Sequence, residues 1–406
     1  MSEALRAAPV DRAFFTPGMK VVTGIMLAGL AAGLYRMIFG LEASTNLDDR
    51  YPWGLWIGVD VVTGVALAAG GFTSCAIVYV FQRGRYRALL RPALLTAMLG
   101  YTFVAIGLIF DLGRWYNIWH PLLPSMWQGN SVLFEVGMCV MCYLTVLYVE
   151  FMPVVCERFI GRVRLPGRLG RFNGAADTAL RLLDHTLGKV MFVFVLAGIT
   201  LSCLHQSSLG TLMLLAPYKM HPLYASGLSP LLFLFSAIAV GPAMVIVESM
   251  IAARAFDREP EMEILTPFAG IVPVLLGASA LLRAADTVGR GATAFLFDGT
   301  APCVTFWIEF GGLTLVPLFM LMSPDIRRSP RGLFAAAAMV VGGIVLNRCA
   351  VFFIAYRPPY ATRAYAPALM EFALTIGLAC AIVFCYRLAA TLFPVLPAPE
   401  TPDARA

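Results

Sequence analysis

Charge is what this chain has least of. Of its 406 residues only 13% are charged, against about 25% in soluble domains, while 59% are apolar and the mean hydropathy is +0.79. That balance excludes a soluble globular fold. It also removes nucleic acid as a partner, because the net charge of +6 comes from basic residues gathered in a few short loops, with no interleaved aromatic–basic groove pattern. Histidine is nearly as scarce: of His120, His185, His205 and His221, only His205 is near the interior of an apolar run. No two helices therefore offer facing axial ligands for a haem. The nine cysteines are scattered, and Cys139 and Cys142 form a CxxC without a second pair. No metal site and no iron–sulfur cluster is expected; small-residue packing is. The first residues, MSEALRAAPVDRAFFTPGMK, lack a short apolar core followed by a small-residue cleavage site, so the first apolar run is expected to remain in the mature protein.

What the chain has in abundance is apolar runs of about 18 residues or more, each long enough to cross roughly 30 Å of hydrocarbon. They predict an all-α integral membrane protein with about ten spans, near 19–40, 55–81, 92–112, 131–152, 188–206, 229–252, 267–285, 301–322, 332–355 and 367–393. Residues 1–18 and 394–406 are expected to be cytoplasmic tails. Orientation follows from the arginines. Residues 82–91 hold four and residues 157–185 hold six, joined on the same side by Arg6, Arg12, Lys20, Arg254, Arg258, Arg327, Arg328 and Arg331. The opposite loops hold Arg50, Arg114, Lys219, Arg290, Arg357 and Arg363. By the positive-inside rule both termini lie in the cytoplasm.

With depth fixed in this way, the ionisable residues inside the spans crowd the outer leaflet. Glu135, in NSVLFEVGMCVM, costs roughly 2.5–3.5 kcal/mol if charged at a helix centre, which calls for a purpose. Asp60, Asp111, Arg114, His205, Arg348, Glu371, Arg36 and Glu42 share its half of the membrane. A weak repeat links FDLGR (110–114) and SVLFEVG (131–137) to ADTVGR (285–290) and TFWIEFG (305–311). It suggests two related four-helix bundles in the same direction, about 51–152 and 228–322, with Glu135 and Glu309 at equivalent depths. A one-sided polar cluster suits an amphipathic ligand. Reduction of a quinone fits: it needs two electrons, two protons, and a site that admits an isoprenoid tail. Glu135, Asp111, Arg114 and His205 can move protons or bind the ring oxygens, with Trp53, Trp56, Trp115 and Tyr116 at similar depth and Asp60 beside them. Glu309 and Glu248 mark a path for protons from the cytoplasm. With no electron carrier in the chain, electrons must come from a partner at the outer face. Structural readings remain open for the same residues: a neutral hydrogen-bonded Glu135, an Asp111–Arg114 ion pair, a helix-capping His205, an interfacial tryptophan belt and a snorkelling Glu248.

The stretches STNLDDRYPWGLWIGVDVVTG (44–64), RPALLTAMLGY, FDLGRWYN, NSVLFEVGMCVM and LHQSSLGTLMLLAPYKMHPL (204–223) resemble the NrfD/polysulfide-reductase family of membrane subunits, and within it the HybB type found in hydrogenase-2-type nickel–iron hydrogenases. The resemblance covers nearly the whole chain. It implies a quinone-reducing membrane anchor in the bacterial inner membrane, with no cofactor of its own and a menaquinone or ubiquinone site near the periplasmic face. It further implies a periplasmic, ferredoxin-like iron–sulfur partner that relays electrons from the hydrogenase small and large subunits. By motif, Glu135 handles protons and Asp111 and Arg114 neighbour the site. The same scaffold serving a molybdenum or polyhaem oxidoreductase, or a secondary transporter, stays open as an alternative.

Overall fold

The structure, a computed structural model, describes residues 7–397. Arg6 and the extreme ends of both expected tails lie outside the described residues. Among the described residues, ten helices are long and apolar enough to cross a membrane: span 1, Pro17–Phe39; span 2, Trp56–Val80; span 3, Gly84–Asp111; span 4, Val132–Phe159; span 5, Gly167–Leu215; span 6, Ser229–Ala255; span 7, Met262–Gly289; span 8, Ala301–Met322; span 9, Pro330–Ile354; and span 10, Leu369–Leu392. Helices are the outcome that hydrocarbon enforces, since backbone polar groups there must be satisfied within the segment. Local signals set the ends. The side chains of Thr16, Ser131 and Ser329 accept from the backbone N–H groups of Met19, Phe134 and Gly332, and proline opens spans 1, 6, 8 and 9.

Span 5 departs most from expectation. Its α-helix runs from Asn173 to Thr211, well beyond the apolar run at both ends. Hydropathy underestimates the outer end because Ser208 and Thr211 return their hydroxyls to the carbonyls of Leu204 and Ser207. His205 is therefore inside the helix and does not cap it. Spans 2 and 7 are interrupted, at Ala68–Ala69 and at Gly270–Ile271. These two spans are not counterparts in the Asp–Glu repeat, so the interruptions do not form the matched pair expected of many transporters. Wide π-helical turns occupy Trp56–Thr63 and Trp307–Leu315, and carry Asp60 and Glu309. Such turns frequently mark functional positions.

Both ends of the described residues lie on the arginine-rich face. Ala7–Ala8 pairs antiparallel with Leu396–Pro397, Arg258 donates to Pro397 O at 2.6 Å, and Arg91 donates to Pro394 O at 2.9 Å. Span 1 rests on span 10 where glycine meets glycine: a Cβ on Gly29 would come within 2.5 Å of the Gly377 Cα. Small residues at such crossings let backbones approach in a bilayer. Gly29→Val is expected to part these two spans and cost about 1–3 kcal/mol, a typical overpacking penalty. An unchanged melting temperature in detergent would show that the crossing contributes nothing.

Candidate functional site

Most of the expected site residues fall into three clusters in the half of the membrane away from the arginine-rich face; Arg114 and Glu248 do not. The first lies between spans 1, 2, 3 and 10. Arg36 is 2% exposed and donates to the carbonyls of Phe110 and Leu112, both at 2.6 Å, which fixes the end of span 3 beside it. Asp111 sits there, with one carboxylate oxygen buried and unpaired. Asp60 accepts from Thr375 Oγ1 at 2.9 Å, and Gly107 lets it approach span 3, since a Cβ there would be 3.1 Å from the Asp60 Cβ. Glu371, fully buried, accepts from Tyr365 Oη, from Ala368 N at 2.8 Å and from Asn46 N at 3.2 Å. Asp60 opens on a cavity of about 810 Å³ with mainly apolar walls, Phe103, Val104, Leu378 and Ile382 among them. Trp53 stands in an aromatic group above, with ring centroids 6.1 Å from Phe352 and 6.4 Å from Tyr356. Trp56 is buried and donates to Glu371 O at 3.2 Å.

The Asp111–Arg114 ion pair, one of the structural readings left open, does not form. Asp111 is the last helical residue of span 3 and Leu112 turns extended, so the i, i+3 geometry is lost and Arg114 lies exposed at the surface. Trp115 and Tyr116 are exposed in the same loop, as an interfacial belt requires.

The second cluster lies between spans 3, 4 and 5. Glu135, in the first turn of its helix, accepts from Ser208 Oγ at 2.6 Å and is otherwise exposed on the side of the chain. His205 is fully buried. Its Nε2 shares a hydrogen bond with Tyr101 Oη, and its ring centroid is 5.4 Å from that of Tyr143. The structure thus brings Glu135 and His205 to one pair of helices, and Asp60 and Asp111 to another place.

The third cluster is in the second half of the chain. Glu309 is 3% exposed and takes its charge partner from Arg283, with Asn347 Nδ2 donating to the same oxygen at 3.1 Å. Arg348 in turn donates to Asn347 Oδ1 at 2.6 Å and to Ser236 Oγ at 2.9 Å, and stacks 3.8 Å over the Phe233 ring. Glu309 lies past the second turn of span 8, deeper than Glu135 in span 4, and unlike Glu135 it is ion-paired. The two glutamates therefore have different surroundings. Glu248 stands apart from all three clusters, in the last turns of span 6, with Thr96 and Tyr386 beside it.

Sequence reasoning passed over Arg283, Asn347, Tyr101 and Glu150, although a charged residue within an apolar run, as at Arg283 and Glu150, was a readable signal. Above the third cluster, a loop staple joins His221 Nε2 to Asp298 Oδ2 at 3.0 Å. The N–H of Thr300, foremost, holds the Asp298 carboxyl below the usual carboxylate range. A lowered folded-state value stabilises above the unfolded one and loses that effect as pH falls through the lowered value. Proteolysis of this loop should therefore stay flat from neutral pH down to about 4 and rise only below it. If Asp298→Asn left susceptibility unchanged at neutral pH, the staple would have no such role.

Residues 43–358 match the family described as polysulphide reductase, NrfD. The chain belongs to the NrfD family. It is 33% identical over 365 residues to the probable Ni/Fe-hydrogenase 2 b-type cytochrome subunit of Escherichia coli, covering 89% of this chain and 88% of that one. It is 25% identical to the menaquinone reductase integral membrane subunit of Nitratidesulfovibrio vulgaris, over 77% of this chain and 75% of that one. It is likewise 25% identical to a subunit of the selenate reductase of Mesobacillus selenatarsenatis, over 92% of this chain and 93% of that one. An NrfD-family chain with ten apolar helices is a multi-pass membrane subunit of the quinone-interacting kind that serves oxidoreductase complexes.

Proposed function

We propose that this NrfD-family chain is the membrane anchor and quinone-reducing subunit of a respiratory hydrogenase in the bacterial inner membrane. The reading rests on one observation above all: Asp60 lines a largely apolar cavity, and Arg36, Asp111 and Glu371 gather near it at the ends of spans 1, 3 and 10 away from the arginine-rich face. A few convergent polar groups on an apolar cavity suit a polar ring with an isoprenoid tail. By the positive-inside rule this half faces the periplasm. Identity to the hydrogenase 2 subunit supports hydrogenase as the source of electrons, and likeness to the menaquinone reductase subunit supports menaquinone.

Electrons pass from the hydrogenase large and small subunits through a periplasmic ferredoxin-like iron–sulfur subunit to the quinone. Glu135 gives the proton. Asp60, Asp111 and Trp53 shape the quinone site, Arg114 lies exposed in the loop beyond it, Glu135 and His205 serve it from the neighbouring cluster on spans 4 and 5, and Glu248 and Glu309 serve proton supply. The cytochrome in the relative's name does not fit these residues. His205 is the one histidine buried within a span, its Nε2 is engaged by Tyr101, His185 is exposed on the helix of span 5, and His120 and His221 lie in loops.

The test is to delete this chain and assay membranes. H2-dependent quinone reduction should disappear while H2-dependent dye reduction by the other subunits persists, and the tagged chain should co-purify with nickel and iron. The selenate reductase relative favours a second reading, a molybdenum enzyme as the electron source. Co-purification of molybdenum in place of nickel would decide for it.

A further inference from the structure

The third cluster holds more positive charge than its own carboxylates balance. Asp286 is matched by Arg290 at 2.9 Å, and Glu309 by Arg283. Arg348 is left over: it is 1% exposed, yet it pairs with no carboxylate among the described residues. It sits about 9 Å along the helix from the outer end of span 9, Ile354. A lone guanidinium at that depth is costly, and such residues pair with an opposite charge or line a wet cavity. Neutral groups occupy three of its five N–H donors: Asn347 Oδ1, Ser236 Oγ and Phe233 O. Its Nε is buried with no partner among the described residues.

Arg348 lines a cavity of about 740 Å³ between spans 6, 7, 8 and 9. Arg283, Glu309 and Asn347 line it too, and Ser279 adds a hydroxyl. The cavity runs beneath Tyr224 and Ser226 of the outer loop between spans 5 and 6, and Arg283, with 15% of its side chain exposed, leaves it unsealed. Both cations are held in place by rings. Arg348 stacks 3.8 Å over Phe233, and Arg283 lies 4.9 Å over Phe306. Glu309 cannot neutralise both: its Oε1 accepts from Arg283 and Asn347, while its Oε2 is buried without a partner among the described residues. The walls therefore present one excess positive charge and one open N–H on a fixed cation.

We infer that this cavity binds a small inorganic monovalent anion, of the size and charge of chloride, seated against Arg348 Nε with Arg283 as the second cation. An anion there cancels the excess charge and accepts the open N–H; a neutral ligand does only the second. The remaining room takes water, which can donate to Glu309 Oε2. A divalent anion would overshoot the balance beside Glu309. A phospholipid phosphate stays at the interface, whereas Arg348 lies below it. The ion undergoes no chemistry; it ties spans 6, 7, 8 and 9 together. The site is independent of quinone, since no residue lines both this cavity and the one beside Asp60.

The experiment melts the full chain in detergent, followed by tryptophan fluorescence, in sodium chloride, sodium bromide or sodium gluconate of equal ionic strength. Gluconate is too bulky for the buried seat at Arg348 Nε. Chloride and bromide should each raise the melting temperature by about 3 °C over gluconate, and the rise should saturate, as for a ligand held by the folded state alone. Arg348→Met should melt at one temperature in all three salts. Crystals of the wild-type chain grown in bromide should show an anomalous peak within reach of Arg348 Nε. Equal melting of the wild type in the three salts would mean that water alone fills the cavity, and would overturn the site. A shift kept in full by Arg348→Met would put the ion elsewhere and overturn it too. Should that variant not fold, the bromide peak decides: no peak beside Arg348 in the wild type overturns the inference.

Discussion

Glu135→Gln is expected to lower H2-dependent quinone reduction by about 100-fold or more, the usual contribution of a positioned general acid. Dye reduction by the partner subunits should not change. The structure makes this a clean substitution. Glu135 is exposed on the side of the chain, and its one side-chain bond among the described residues is to Ser208. Glutamine keeps the acceptor oxygen, so folding should suffer by no more than about 1 kcal/mol, the worth of one hydrogen bond. A rate near that of the wild type would remove Glu135 from the mechanism.

The largest effect on stability is expected at Arg283→Met. Arg283 and Glu309 face each other deep in the chain, with side-chain exposures of 15% and 4%. Removing one partner of a buried pair leaves a lone charge and costs about 3–5 kcal/mol, a large share of the 5–15 kcal/mol that holds a typical protein together. The single variant should accumulate poorly and melt early. Arg283→Met combined with Glu309→Leu should recover most of the loss, because replacing both ions with apolar groups is often near neutral. The rescued double variant also reads the role proposed for Glu309: quinone reduction should stay slow although the protein is folded. Equal instability of single and double variants would show that the pair is not what the third cluster depends on.

Most of the fold was legible, and for a clear reason: hydrocarbon admits few structures, so a run of apolar residues fixes a helix and its length together. Span 5 shows the limit. Its outer end is held by serine and threonine hydroxyls turned back onto carbonyls, and hydropathy counts those residues as loop. The site was legible by depth but not by neighbourhood. Asp60, Asp111, Arg36 and Glu371 could be placed in one leaflet from the arginines alone, yet nothing in the sequence indicates that spans 1 and 10 pack together through Gly29 and Gly377 to join them. For the same reason Glu135 and His205 fell into one group with Asp111 by depth and lie in another in the structure. The Asp–Glu repeat carried a similar trap. It paired Glu135 with Glu309 by spacing, while Arg283, whose guanidinium makes Glu309 an ion-pair partner, has no equivalent beside Glu135.

The account stands on side chains of both signs gathering where a hydrophobic electron acceptor can reach them. The most direct measurement is a structure of the complex with a tight-binding quinone analogue. The account predicts the polar head in the half of the membrane away from the arginine-rich face, within hydrogen-bonding reach of Asp60, Asp111 or Glu135. A head seated in the arginine-rich half, or wholly among the Arg283, Glu309 and Arg348 side chains, would contradict it.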